Sequence, residues 1–231
     1  MRPRNSPPFY AFTVLMLASN ASASDQDLQQ WTSLRLEHEL FDGVTAGVRA
    51  RVRFDDDVSS EKDVMVGPSL SLEPIDRLKF TLGYDYLYDL QAESTVEHRI
   101  WQTINFKFRI RDLTIGNRIR FDERLFEDIG GAIVRFRYRL RTKYDIDGFR
   151  LKGFHLSSSE EVLVNLNDKG KGPVEGFEQN RMRAGVGWHF GRARVETGYE
   201  WQYVRRRGAP WLHRHVLFVE FTLSPDPFGT E

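Results

Sequence analysis

The chain contains no cysteine and, beyond its first residues, no long uninterrupted apolar segment. The absence of cysteine excludes a disulfide framework, a thiolate metal site and a lipid-modified N-terminal cysteine. The absence of a long apolar run excludes a membrane-spanning helix, which needs about 20 such residues. The 33 basic residues balance the 33 acidic ones, so the net charge gives no sign of nucleic-acid binding.

The first residues have the organisation of a secretory signal peptide. Arg2 and Arg4 precede a short apolar run at residues 9–18, and Ala21-Ser22-Ala23 forms a small-x-small cleavage site. We therefore predict a signal peptide at residues 1–23, one domain at residues 24–223 and a C-terminal tail at residues 224–231. An uncleaved N-terminal anchor is the alternative, and the shortness of the apolar run disfavours it.

Residues 132–144 show most about the fold, because apolar or aromatic side chains alternate there with arginines. Successive side chains of a strand point to opposite faces. One face therefore carries Val134, Phe136, Tyr138 and Leu140, and the other carries Arg135, Arg137, Arg139 and Arg141. A membrane barrel accommodates both faces, with apolar groups in lipid and charged groups in a polar lumen.

About eleven such alternating segments follow one another between residues 31 and 223. Short connections alternate with longer ones, as expected for short periplasmic turns and longer extracellular loops. We predict an all-β fold, a transmembrane antiparallel barrel of 10–12 strands in the bacterial cell outer membrane. Because single-chain bacterial barrels usually have even strand counts, either a strand is missed or residues 31–41 lie outside the wall.

The residues predicted to face the lumen form a series of alternating charged side chains, here called the charge ladder, which is our candidate site. Its residues are Arg49, Arg51, Arg53, Glu97, Arg99, Arg109, Arg118, Arg120, Asp122, Arg135, Arg137, Arg139, Arg141, Arg181, Arg183, Glu196 and Glu200. Buried charges are tolerated when paired, so a plugged structural barrel is one interpretation. Rings of basic residues favour anions, so a narrow anion-preferring pore is the other. Both interpretations are non-enzymatic functions. In both the partner is outer-membrane lipid, and the pore would also bind small anions.

Two further classes of function stay open. A soluble periplasmic ligand-binding barrel would turn the apolar face inward. An outer-membrane lipid hydrolase would use His155, Ser157 and Glu161, which lie on one strand face. This arrangement is similar to the His-x-Ser pair and carboxylate of a lipid A deacylase. However, these side chains are predicted to point into the lumen, away from a lipid substrate. We predict no catalytic residues, no cofactor and no metal, since His213, His215 and the nearby His189 fall short of the four ligands of structural zinc.

Several short strings, in order, resemble the uncharacterised bacterial outer-membrane family called domain of unknown function 2490. They are Glu97-His98-Arg99-Ile100-Trp101-Gln102, Arg118-Ile119-Arg120-Phe121-Asp122-Glu123-Arg124, residues 135–141, Glu161-Val162, Gln179-Asn180-Arg181 and Glu196-Thr197-Gly198-Tyr199. The resemblance covers about residues 31–223. It implies an outer-membrane barrel and brings no activity. Many such barrels end on an aromatic residue, whereas here Phe221 and Leu223 precede the tail.

Overall fold

The computed structural model describes residues 26–55, 57–91, 95–146 and 153–224, and within these ranges the chain forms eleven strands. The strands are β1 (Gln26–Phe41), β2 (Val44–Asp55), β3 (Ser60–Ile75), β4 (Leu78–Asp89), β5 (Val96–Ile110), β6 (Leu113–Phe126), β7 (Ala132–Asp145), β8 (Phe154–Asn165), β9 (Gly176–Phe190), β10 (Ala193–Arg206) and β11 (Ala209–Leu223). No helix in the described ranges is long and apolar enough to cross a membrane. The predicted signal peptide and residues 225–231 of the predicted tail lie outside the described residues.

The strands close into a single barrel in sequence order. All neighbouring pairs are antiparallel except β1 and β11, which run parallel from Gln26 beside His213 to Leu36 beside Leu223. Eleven lies within the predicted range of strands and confirms the all-β barrel. The first segment belongs to the wall, and the odd number of strands in the described ranges closes through one parallel pair.

The connections differ between the two rims of the barrel. At one rim, here called the turn end, four of the five connections have two residues, as between β1 and β2. At the other rim, the loop end, the connections reach ten residues between β8 and β9. Between β7 and β8 the described residues end at Ile146 and resume at Gly153. At the loop end β10 and β11 are joined by only two residues, and Arg206 pairs with Ala209.

The barrel is polar inside and apolar outside. On β7, Arg137 faces inward and is 8% exposed, whereas the next residue, Tyr138, faces outward and is 40% exposed. The large apolar side chains of the described strands are mostly exposed on the outer face. Inside, Trp31, Val216 and Phe218 form a small apolar cluster. Charged side chains therefore fill the space that an apolar core occupies in a soluble protein.

Candidate functional site

The lumen is a cavity of about 650 Å³ that extends from Arg77, beside the β3–β4 turn, toward Arg214 on β11. Its lining contains nineteen arginine and lysine side chains but only seven glutamates. Four strands contribute arginines in alternating runs, since every second residue of a strand points inward. The cavity is therefore strongly basic even though the chain as a whole has no net charge.

The middle of the lumen is held by two carboxylates on β6 and β8. Asp122 accepts hydrogen bonds from Arg120 Nε at 2.5 Å and from Arg135 Nη2 at 2.8 Å. Glu161 accepts from Arg118 Nη2 at 2.5 Å and from Arg137 Nη2 at 2.7 Å. The register between strands creates these pairs, because Asp122 lies directly beside Arg135. Each carboxylate thus links arginines of neighbouring strands.

Two more carboxylates continue the network toward the loop end. Glu97 accepts from Arg99 at 2.7 Å and from Arg124 at 2.7 Å. Glu178 lies 3.2 Å from Arg135 and 3.3 Å from Arg124. Arg124 and Arg135 therefore join both carboxylates into one continuous ladder across β5, β6, β7 and β9.

The remaining ion pairs complete the ring around the lumen. Asp85 on β4 pairs with Arg49 at 2.7 Å, and Asp63 on β3 pairs with Arg53. On the opposite side Arg183 of β9 bridges Glu200 at 2.8 Å and Glu220 at 2.6 Å. Glu196 on β10 pairs with Arg141 at 2.5 Å. Each carboxylate in this group is held by an arginine of another strand.

Five arginines that line the lumen make no ion pair with a carboxylate within the described ranges, namely Arg77 and Arg194 toward the turn end and Arg51, Arg139 and Arg181 along the wall. Arg51 and Arg139 make no ion pair there, and their Nε atoms are buried without a hydrogen-bond partner. Arg181 donates only to the neutral amide oxygen of Gln179, at 2.9 Å. Arg51 and Arg181 both lie over the ring of Trp31, at 5.2 and 5.6 Å from its centroid. The guanidinium groups of Arg51, Arg139 and Arg181 are therefore not neutralised by an ion pair within the described part of the chain.

Of the seventeen residues of the predicted ladder, all but one lie on the wall of the lumen. Sixteen face the lumen, where Asp122 and Glu196 lie buried behind the arginines that they bond. Arg109 instead lies at the turn end, where its side chain is 62% exposed and 3.5 Å from Asp145. It was assigned by alternation alone, and β5 extends past the cavity at this position.

The side chains of the hydrolase alternative also point inward, but they are not arranged as nucleophile and base. Ser157 Oγ donates to Glu196 Oε1 at 2.8 Å, and His155 Nε2 lies 3.7 Å from Glu196 Oε2. Glu161 is bonded by Arg118 and Arg137. A serine nucleophile needs a base within hydrogen-bond reach. Here the hydroxyl group is bonded to a carboxylate that already pairs with arginine.

The three histidines that were considered and rejected as a zinc site lie on two sides of the wall. His213 and His215 point outward, where His215 Nδ1 lies 2.5 Å from the hydroxyl of Tyr199. His189 lies beside the inward His155, with ring centroids 5.5 Å apart. Among the residues that the structure describes, no group of three His, Cys, Asp or Glu side chains could hold a metal ion.

Comparison with known proteins places the chain in a family. The family model described as "Protein of unknown function (DUF2490)" matches residues 28–213. The chain belongs to this family. No curated protein matches the sequence of this DUF2490 chain.

Two solved structures match the DUF2490 chain. LpxR from Salmonella typhimurium is 8% identical and has a TM-score of 0.50, and the match covers 78% of this chain and 83% of that one. OccK3 (OpdO) from Pseudomonas aeruginosa is 12% identical with a TM-score of 0.37, covering 77% and 65%. At these identities the likeness to LpxR shows a shared barrel fold alone.

Sequence reasoning missed how this DUF2490 chain supports its arginines on aromatic rings. Trp101 lies under Arg120, whose Cζ is 4.3 Å from the ring centroid, and a Cβ at Gly83 would come within 2.2 Å of that ring. Phe218 lies under Arg183 in the same way, at 4.0 Å, and packs against Gly198. The available signal was a pair of similar strings that begin at these glycines, Gly83-Tyr84-Asp85-Tyr86 and Gly198-Tyr199-Glu200-Trp201.

Proposed function

We propose that this protein is a bacterial outer-membrane β-barrel whose lumen binds and conducts small anions. The excess of basic side chains in the lumen carries the proposal. Five further carboxylates that bond lining arginines, Asp27, Asp63, Asp85, Asp122 and Glu196, bring the acidic groups to twelve against nineteen basic ones. An enclosed positive charge of this size needs mobile or bound counter-anions, as in basic anion pores.

The location is supported by the outer surface and by the length of the strands. The outward apolar side chains form a surface that suits acyl chains better than water. Each strand has 12 to 16 residues, and a tilted strand needs about 9–11 to cross the hydrocarbon. The predicted signal peptide would deliver such a chain across the inner membrane.

The arginines without carboxylate partners supply the contacts for the anion. Arg51 and Arg181 share the Trp31 ring, and the buried neutral amides of Gln179 and Gln202 lie nearby, joined by a hydrogen bond of 2.6 Å. A planar guanidinium group presents paired donors that fit oxyanions. We therefore infer that anions are held at Trp31, where amides rather than carboxylates face the arginines.

Conductance of the purified protein in planar bilayers tests this function. We expect small, anion-selective currents, and a smaller ratio of anion to cation permeability when Arg51→Gln and Arg181→Gln are combined. Lys171→Gln, which removes a charge from the exposed β8–β9 loop, is the control and should leave selectivity unchanged. Cation-selective currents, or equal selectivity in the double variant and the wild type, would refute the proposal.

A closed structural barrel is the second candidate, favoured by the density of the ladder. Asp122 and Glu161 each bond arginines from neighbouring strands, so the side chains cross-link the lumen wall. If heat-modifiable gel migration shows a folded barrel and the same preparation carries no current, this second function replaces the first.

We also propose that the protein is not an enzyme and not a container for apolar ligands. The first point is supported by the Ser157 hydroxyl, which bonds the carboxylate of Glu196, already paired with Arg141, instead of a histidine. The second is supported by the lining of the lumen, where the described side chains are mostly charged or polar. Loss of a lipid-hydrolysis activity in Ser157→Ala would overturn the first, and recovery in the soluble periplasmic extract would overturn the second.

A further inference from the structure

One part of the outer face of the barrel is polar. The outward side chains of β2, β3 and β4 between Val44 and Val52, Val64 and Leu72, and Leu78 and Tyr88 are apolar or tyrosine. On β6 to β9 the outward residues include a group here called the outer polar patch, which consists of Asn117, Tyr138, Thr142, Ser158, Glu160 and Asn180.

The charged member of the patch lies at the middle of the wall. Glu160 is six residues after Phe154 and five before Asn165, the two ends of β8. It pairs across the sheet with Leu140 on one side and Met182 on the other. In the membrane this depth corresponds to the hydrocarbon region, where an ionisable group facing lipid is destabilising.

Hydrogen bonds within the patch satisfy only part of its polar groups. Asn180 Nδ2 donates to Glu160 Oε1 at 3.0 Å, and the Tyr138 hydroxyl donates to Asn117 Oδ1 at 2.7 Å. Within the described ranges Asn117 Nδ2 has no acceptor, Glu160 Oε2 has no donor, and Asn180 Oδ1 is buried without a partner. One patch thus retains an unused donor and unused acceptors, which acyl chains cannot satisfy.

We propose that the outer polar patch is the contact surface between two copies of this chain. Leu140 lies between the two sides of the patch, beside Asn117 on β6 and beside Glu160 on β8. A twofold axis along the membrane normal near Leu140 exchanges these sides. The Asn117 amide of one copy then lies on the Glu160 side of the other, which gives both unused groups a partner.

The chemistry of the patch favours a second copy over a different protein. In a twofold contact the same surface faces itself, so it must carry donors and acceptors together. The outer polar patch does so, with an amide donor on Asn117 and a carboxylate acceptor on Glu160. This inference is independent of conduction through the lumen.

Disulfide cross-linking tests the contact directly, because the chain has no cysteine of its own. Leu140→Cys places a thiol at the centre of the patch, and Val48→Cys places one on β2, on another side of the barrel. The two side chains are matched, since both face outward and are 42% and 47% exposed. In dilute liposomes we expect an oxidant to link Leu140→Cys into dimers and to leave Val48→Cys monomeric.

A second substitution connects the contact with its polar groups. Adding Glu160→Leu to Leu140→Cys removes the acceptor, and we expect about a tenfold lower yield of linked dimer. Adding Glu160→Gln keeps a hydrogen-bonding side chain, and we expect a yield near that of Leu140→Cys alone. Heat-modifiable migration identifies the folded fraction of each variant.

Three outcomes would overturn the inference. Equal cross-linking of Leu140→Cys and Val48→Cys would mean random collision. An unchanged dimer yield with Glu160→Leu would show that the polar groups of the patch do not hold the two copies together. A linked product in native outer membranes whose mass is not twice that of the chain would assign the patch to a different protein.

Discussion

Replacing Asp122 by Asn removes the carboxylate on which the central ladder depends. Asp122 is fully buried and lies within 3.5 Å of Arg120, Arg135 and Arg137. Removing one member of a buried ion pair costs about 3–5 kcal/mol. Each of the three arginines keeps a second carboxylate, as Arg137 does with Glu161 at 2.7 Å. We therefore expect the lower end, a loss of about 3 kcal/mol in the free energy of unfolding.

Urea unfolding in phospholipid vesicles, followed by tryptophan fluorescence, measures this loss. The control is Glu123→Gln, which makes the same chemical change on the adjacent residue. Glu123 points outward, and no hydrogen bond or ion pair joins it to another described residue. We expect Glu123→Gln to leave stability within about 0.5 kcal/mol of the wild type. An Asp122→Asn variant as stable as this control would show that the ladder does not hold the barrel together.

Two further predictions concern packing and a loop. Gly83→Ala would press a methyl group into the ring of Trp101, and we expect a loss of about 1–3 kcal/mol in the same unfolding assay. In the β8–β9 loop, the pKa of Asp168 is lowered by a hydrogen bond from the Gly170 backbone N–H and by Arg207. This anchor is complete above the ordinary carboxyl pKa, about 4, and is lost as the pH falls through the lowered value. A nitroxide label in that loop should therefore gain mobility only in strong acid.

Each of these predictions has a matched control. Gly116→Ala also adds a methyl group to an inward position of a strand, where no atom lies within 4 Å, and should cost little. A Gly83→Ala variant no less stable than Gly116→Ala would contradict the packing argument. Asp168→Asn removes the charge that Arg207 contacts, so its loop should already be mobile at neutral pH. If neither acid nor this substitution changes the mobility of the loop, the contacts of Asp168 do not anchor it.

Local alternation was enough to predict the barrel, its strands and the side of the wall on which each arginine lies. On β7 the pattern is uninterrupted, and Arg137 and Tyr138 lie on the two faces as expected. The prediction succeeded because the face to which a side chain points depends only on whether its position along the strand is odd or even. Strand number followed from the same signal once the odd segment at β1 was counted as part of the wall.

The partners of the arginines could not be predicted, because they depend on the register between strands. Asp85 binds Arg49, which is 36 residues away and on a strand that is not its neighbour. Glu178 is the extra residue of a bulge opposite Leu163 and Val164, so it and Gln179 both reach the lumen. A parity rule assigns only one of these two residues to the lumen. Bulges and registers are set by the whole sheet and leave no local trace in the sequence.

Because β1 and β11 are parallel, the start of β1 and the end of β11 lie at opposite rims of the barrel. Gln26, where β1 starts, lies beside His213 near the loop end, whereas Leu223, where β11 finishes, lies at the turn end. If the barrel spans the outer membrane as proposed above, a fluorescent reporter joined ahead of β1 and one joined behind β11 lie in different compartments. For the same reason a short peptide cannot connect these two points, so a circularly permuted version would need a linker as long as the barrel is tall.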